Sequence, residues 1–245
     1  MDDLSQFLYE RYVSRFKAEG AAGIRPLSPN NLRWLRWRLL PLLASVPRTG
    51  SILELGCGSG QLLGFLQAEG FTGCRGVDLC HEQVELARAA GADAHPGDLF
   101  DELKNATGEF DAILAVDVIE HVSRERMLEF GRLCRKALRP GGVLVIQTPN
   151  GEGLHAGHVI YGDLTHRMIF NENSFRQLLR ALDFVDIAVH ETGPVPVGIQ
   201  GILRWIAWQT TRIVVIAKVI AETGRRPRIL THEFLGSGRV PAEGQ

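Results

Sequence analysis

The chain has 245 residues, 45% apolar and 22% charged, with a formal net charge of −1. That size and balance suit one large folded domain with elaborations and exclude a disordered chain. A net charge so near zero gives no basis for general binding to nucleic-acid phosphates, so no nucleic-acid partner is expected.

Residues 4–19 space Phe7, Leu8, Tyr12 and Phe16 as an amphipathic helix, and Gly20 to Pro29 is a Gly/Pro-rich break. Ser28 or Asn30 can cap a second helix from Asn31 to Ser45. It alternates Trp34 and Trp37 with Arg33, Arg36 and Arg38. Either this helix packs beside a sheet with its arginines in water, or it forms a lid. Residues 1–46 are thus a helical extension and 47–245 the main domain.

The stretch from Ser51 to Gly64 reads SILELGCGSGQLLG. An apolar strand, Ile52 to Leu55, breaks at Gly56, Gly58 and Gly60, and apolar residues resume at helical spacing from Leu62 to Gln67. Glycine suits a turn under a ligand because such a turn needs positive φ and no Cβ. The next strand, Cys74 to Asp78, ends on an acid 22 residues after Gly56. A carboxylate there is placed for ribose hydroxyls, so an adenosine-containing cofactor is expected. A helix from Glu82 to Ala90 stops at Gly91, and a short strand near Ala92 to His95 leads to Gly97-Asp98-Leu99. Asp98 is at least a candidate helix N-cap.

Phe110 to Val116 is a buried fourth strand, followed by Asp117-Val118-Ile119-Glu120-His121-Val122. Ligands of open α/β sheets sit beyond the carboxyl ends of strands, so these residues face the reaction site. A helix from Arg124 to Leu138, a turn at Arg139–Gly142 and a strand from Val143 to Gln147 come next, ending in Thr148-Pro149-Asn150. Between Gly151 and Asn171 lie His155, His158, Tyr161, Asp163, His166 and Arg167, with few residues suited to a core. His155 and His158 are flanked by glycines, which favours facing solvent or substrate over ligating a metal.

Asn173 or Ser174 opens a helix from Phe175 to Leu182, and Phe184 to His190 alternates as a sixth strand. The seventh is placed at Arg228–Phe234, with a mobile tail after Gly236. Between them, about residues 195–224, sits an insertion, mostly an apolar helix from Ile199 to Ala221. Arg204, Arg212 and Lys218 interrupt it too often for a membrane span and share one sector of the wheel. Packing within the protein, a homodimer contact and a membrane-surface helix are the three outcomes left open. Cys57, Cys74, Cys80 and Cys134 show no C-x-x-C or zinc-like spacing. Reduced, buried thiols and no metal ligands are expected. Met1-Asp2-Asp3 lacks the regions of a signal peptide, so the expected location is cytoplasmic, with peripheral contact at the inner membrane face left open.

The dinucleotide fingerprint is G-x-G-x-x-G, whereas this chain has Glu54-x-Gly56-x-Gly58-x-Gly60. That pattern resembles the first motif of the class I S-adenosylmethionine-dependent methyltransferases. The resemblance implies an α/β, Rossmann-like seven-stranded doubly wound sheet, mostly parallel with the last strand antiparallel. It also implies S-adenosyl-L-methionine as cofactor. Glu54 then lies near the ammonium group, with Gly56, Gly58 and Gly60 beneath the ligand. Asp78, beside Leu79, meets the ribose. Asp98 and Leu99 meet the adenine, and the Val116–Asp117 backbone meets the methionine part. The D-x-x-E-H-V run resembles small-molecule O-methyltransferases of quinone biosynthesis and polysaccharide modification, while L-x-P-G-G and T-P-N are a further landmark of the class that supports the fold rather than the reaction. The Tyr161–Arg167 stretch is similar to methyltransferases acting on polysaccharide or lipid-linked sugars.

The expected reaction is therefore O-methylation of a small-molecule, glycan or lipid-linked hydroxyl. Such an in-line displacement asks the protein for alignment, a dry site and proton removal. Asp163 and His166, at i and i+3, are the first choice for the base, and His121 is the second. The same pair also reads as a loop fastened by an Asp–His hydrogen bond. A quinone or phenol acceptor, an NAD-type oxidoreductase and a non-catalytic interaction module are the competing readings.

Overall fold

A computed structural model describes residues 7–8, 26–242 and 244. The amphipathic helix expected over 4–19 therefore lies, apart from Phe7 and Leu8, outside the described residues. Among the described residues, seven strands form one sheet: β1 (Ser51–Leu55), β2 (Gly73–Asp78), β3 (Ala94–Pro96), β4 (Phe110–Val116), β5 (Leu138–Pro149), β6 (Val185–Glu191) and β7 (Glu233–Arg239). Their order is β3-β2-β1-β4-β5-β7-β6, and β7 runs antiparallel to both neighbours. The expected doubly wound sheet with an antiparallel last strand is thus present.

Strand side chains alternate between faces, and both faces here are apolar because helices cover both. Leu53, Leu55, Ile113 and Ala115 belong to one buried cluster, while Ile52, Ala112 and Leu114 belong to the other. Within the described residues 26–242 the α-helices are α1 (Pro29–Arg38), α2 (Gln61–Ala68), α3 (His81–Ala89), α4 (Leu99–Asn105), α5 (Met127–Ala137), α6 (Ala156–Ile160), α7 (Glu172–Ala181) and α8 (Gly198–Thr223). Ser28 caps α1 by accepting the Asn31 N–H at 3.1 Å. Trp34 ties α1 to the far end of the sheet, its indole N–H donating to Thr192 O at 2.9 Å. The Arg36–Glu69 ion pair lies on the exposed side.

Three local expectations change. The Arg139–Gly142 turn is a bulge inside β5, where Leu138 pairs with Phe110 and Val143 pairs with Ala112. Gly141 supplies its positive φ of +78°. Helix α7 starts earlier than expected, because Asn171 and Ser174 form a reciprocal capping box. The seventh strand begins at Glu233 rather than Arg228, and residues 237–239, expected in the tail, are not loose. They lie in β7, with Gly236 and Gly238 packed under Phe175, Leu179 and Phe184. Two glycines on the buried face remove the apolar alternation by which a strand is recognised.

Candidate active site

The turn after β1 is made by Gly56, Gly58 and Gly60, with φ of +67°, +52° and +75°. Each also has a separate spatial task. A Cβ on Gly56 would lie 2.6 Å from Val118 Cγ2, and one on Gly60 would lie 2.9 Å from Ala87 Cβ, so both permit close packing. Gly58 has no such neighbour nearer than 3.9 Å and borders open space. Asp78 locks the turn: Oδ2 accepts the Gly58 N–H and Oδ1 accepts the Cys80 N–H, both at 2.8 Å. A carboxylate accepts up to about four hydrogen bonds, so Asp78 can hold this loop and ribose hydroxyls together. Asp98 caps α4, accepting the Phe100 N–H at 2.7 Å. Both readings of Asp98 are therefore compatible, since it also borders the cavity.

That cavity, of about 620 Å³, opens at the carboxyl ends of the strands. Gly56, Gly58, Asp78, Leu79, Asp98, Leu99 and Asp117, all named from the motifs as cofactor contacts, line it. His121, Asp163 and His166 line the opposite part, so the two halves expected from the motifs share one space. None of the described residues before Gly56 lines it. Three named residues stand back from it. Gly60 supports helix packing, and Val116 lies in the sheet behind Asp117, whose φ is +53°. Glu54 is buried beneath the glycine turn, where it accepts the Leu63 N–H. Its Oε2 has no partner. Burial first, and then the Asp78 charge, hold the Glu54 carboxyl well above the usual carboxylate range.

The arrangement around His121 and His166 differs from the expected Asp–His pair. Asp163 does not hold His166; its Oδ1 accepts the Thr165 hydroxyl at 2.6 Å and the Thr165 N–H at 2.8 Å. Burial would raise Asp163, but those two bonds outweigh it and keep the carboxylate low and ionised. Since the Thr165 hydroxyl donates to Asp163, it accepts from His121 Nδ1 at 2.9 Å. His121 is thereby a tautomer with its basic lone pair on Nε2. His166 Nδ1 lies 3.0 Å from Ile160 O, and a carbonyl only accepts, so its basic nitrogen is likewise Nε2. The two rings lie 4.9 Å apart. Burial, followed by the neighbouring His166, lowers His121, which keeps it neutral near pH 7.

Beneath the imidazoles lies a group of acids. Glu120 is 1% exposed and accepts the Thr148 hydroxyl through Oε2 at 3.0 Å. Burial and then Asp117 push it up to about 8, and the same two causes push Glu233 up to about 7. Glu120, His121 and His166 each offer a ligand atom, all within 4.8 Å of one another. Spacing alone suggested no metal ligands, yet these residues could hold one cation. Thr165 and Glu120 are the residues missing from the expected set. Asp163-Leu164-Thr165 carried a signal for the first, because an Asp two residues before a Thr forms a side-chain turn.

The methyltransferase-domain family model matches residues 30–189, more than half of the chain. The chain belongs to that family. It is 29% identical over 159 residues to a ubiquinone biosynthesis O-methyltransferase of Caulobacter vibrioides, spanning 56% of this chain and 62% of that one. A protein of the same description from Caulobacter sp. strain K31 is 32% identical over 105 residues, 40% of each chain. The matches thus span about half the length of these curated relatives. Among solved structures, a SAM-dependent methyltransferase from Archaeoglobus fulgidus superposes with a TM-score of 0.64 at 20% identity, covering 85% of this chain and 92% of that one. Haemonchus contortus phosphoethanolamine N-methyltransferase 2, in complex with S-adenosyl-L-methionine, gives 0.58 at 14% identity, over 95% of this chain and 60% of its own. Those two likenesses show the fold. The group named for both of those proteins is S-adenosylmethionine.

The residues present fit that group. Gly58 borders open space where a Cβ would intrude, and Asp78 and Asp98 stand at successive strand ends beside it.

Proposed function

We propose that the protein O-methylates a hydroxyl on a small-molecule, glycan or lipid-linked acceptor. When bound, S-adenosylmethionine supplies an electrophilic methyl group. The chain's own part is to clamp the nucleoside through Asp78 and Asp98, align the acceptor, and take its proton. The observation carrying this reading is the pair of imidazoles 4.9 Å apart, facing the cavity that the glycine turn also borders. His121 is the better oriented base, because the Thr165 hydroxyl links its Nδ1–H to the ionised Asp163. His166 is the second proton acceptor, held by Ile160 O. Water exclusion by Val118, Val122 and Leu99 around the cavity favours the displacement.

Calorimetry of S-adenosylhomocysteine against NAD tests the cofactor half. Preference for NAD would sink it. A labelled-methyl screen against lipid, glycan and small-molecule fractions tests the acceptor half, and label on nitrogen alone would overturn O-transfer.

A second reading of the reacting side rests on a separate observation: Glu120 Oε1 is buried with no partner. A divalent cation held by Glu120, His121 and His166 would acidify the acceptor hydroxyl, and the imidazoles would then be ligands rather than bases. Turnover lost on chelation and restored by Mn²⁺ decides for the cation. Turnover indifferent to chelation decides for the base.

A further inference from the structure

Helix α8 has 26 residues, about 39 Å at the usual rise, and none of them is buried. It touches the body along one stripe. Trp208 packs on Gly193, where an added Cβ would lie 3.0 Å from the indole nitrogen, and Arg212 pairs with Glu191. Val215 and Val219 continue that stripe at helical spacing. The face opposite carries Ile199, Leu203, Ile206, Ile213 and Val214, with exposures of 80, 62, 51, 70 and 65%. Thr210 is the only polar residue among them on the wheel. A continuous apolar face of this length turned away from its own protein calls for a covering.

We propose that this face lies in the headgroup layer of an anionic bilayer. The first argument is charge. Arg204 and Lys218 flank the apolar face on one side, and Arg225 and Arg226 follow the C-terminus, all exposed. None of these four has an ion-pair partner among the described residues, and Glu222 is the only acid of the helix. An apolar face rimmed by cations matches interfacial helices, and each cation near an anionic surface strengthens binding about fivefold. A second copy fits less well. Antiparallel two-fold pairing centred near Thr211 would bring Arg204 of one copy beside the Lys218 position of the other, setting like charges together. No described helix is long and apolar enough to cross a membrane.

The second argument is position. Strands β5 and β6 are both antiparallel to β7, so they run the same way. The insertion leaves the C-terminal end of β6 and returns to the start of β7 at Glu233, which lines the cavity. Helix α8 therefore belongs to the same sheet edge as the cavity, and a surface gripped by it faces that edge.

Sedimentation with vesicles tests this without any acceptor or turnover, so it fails or stands independently of the methyl-transfer reading. The full chain should bind phosphatidylcholine vesicles that contain phosphatidylglycerol and not vesicles of phosphatidylcholine alone. Binding should fall as salt rises, with a blue shift of tryptophan emission on binding. Ile206→Asp with Ile213→Asp should abolish it, and Arg204→Gln with Lys218→Gln should weaken it about tenfold or more. S-adenosylhomocysteine affinity, unchanged in both, reports that the variants are folded. Absence of vesicle binding, or equal binding to neutral vesicles, overturns the proposal. A dimer in light scattering that Ile206→Asp dissolves also overturns it, by assigning the face to a second copy.

Discussion

Replacing Asp78 by asparagine tests the cofactor side most directly. Both carboxylate oxygens are engaged, one by the Gly58 N–H and one by the Cys80 N–H, each at 2.8 Å. Asparagine keeps one acceptor, and its amide nitrogen would then point a donor at the other N–H. A hydrogen bond to a charged group contributes about 1.5–3 kcal/mol, so the turn loses roughly that much order. The ribose loses its anionic acceptor as well. Together these amount to about 3 kcal/mol, or about a hundredfold in affinity. Isothermal calorimetry with S-adenosylhomocysteine should show that loss, with Asp78→Ala weaker still because both bonds go. An Asp78→Asn dissociation constant within about threefold of wild type would refute the reasoning.

On the reacting side, His121→Ala should lower turnover about 10²–10⁴-fold while S-adenosylhomocysteine still binds. Thr165→Val, which cuts the Asp163–Thr165–His121 chain, should reduce it by about tenfold and move the alkaline or acid limb of the pH–rate profile. An unchanged profile would leave Thr165 a mere loop fastener. Glu120 titrates at about 8 when folded against 4.5 as an ordinary carboxyl, so the native state keeps a proton that the unfolded chain has lost. Stability should therefore fall as pH rises from about 4.5 to about 8, by at most about 5 kcal/mol, and the metal-free Glu120→Gln variant should lose that slope in urea melts. Gly236→Ala would place a Cβ 2.3 Å from the Phe175 ring. Overpacking of that kind costs about 1–3 kcal/mol, which a thermal melt reads directly, and an unaltered melt would remove Gly236 from the core.

Local chemistry made much of this protein legible from its residues. The strand–glycine–helix unit at Ser51–Gly64 and the exact span Phe110–Val116 follow from periodicity and turn residues, which act over a few positions. Asp78 and Asp98 were recognisable because a parallel sheet delivers successive strand ends to one edge. The chain order alone therefore points to an open α/β sheet with its strand ends on one edge, whereas the antiparallel last strand and a role for Asp98 beyond capping came from the resemblance.

Contacts between distant segments were decided only by the folded chain. Strand β7 escaped its expected place because its glycines are selected by the Phe175 ring above them, and no strand-like pattern survives that choice. Asp163 and His166 are close in sequence, yet the hydroxyl of Thr165 captures the carboxylate and directs it to His121, 44 positions earlier. Glu120 is an unremarkable acid in the sequence and becomes a protonated one only when the sheet, Asp117 and the 165–168 segment close over it. Helix α8 was readable as apolar and interrupted by cations. Which stripe meets the body, and hence which face is left bare, depends on where Glu191 and Gly193 sit. Hydrogen bonding and burial between remote segments set those outcomes, and neither is encoded in a local window.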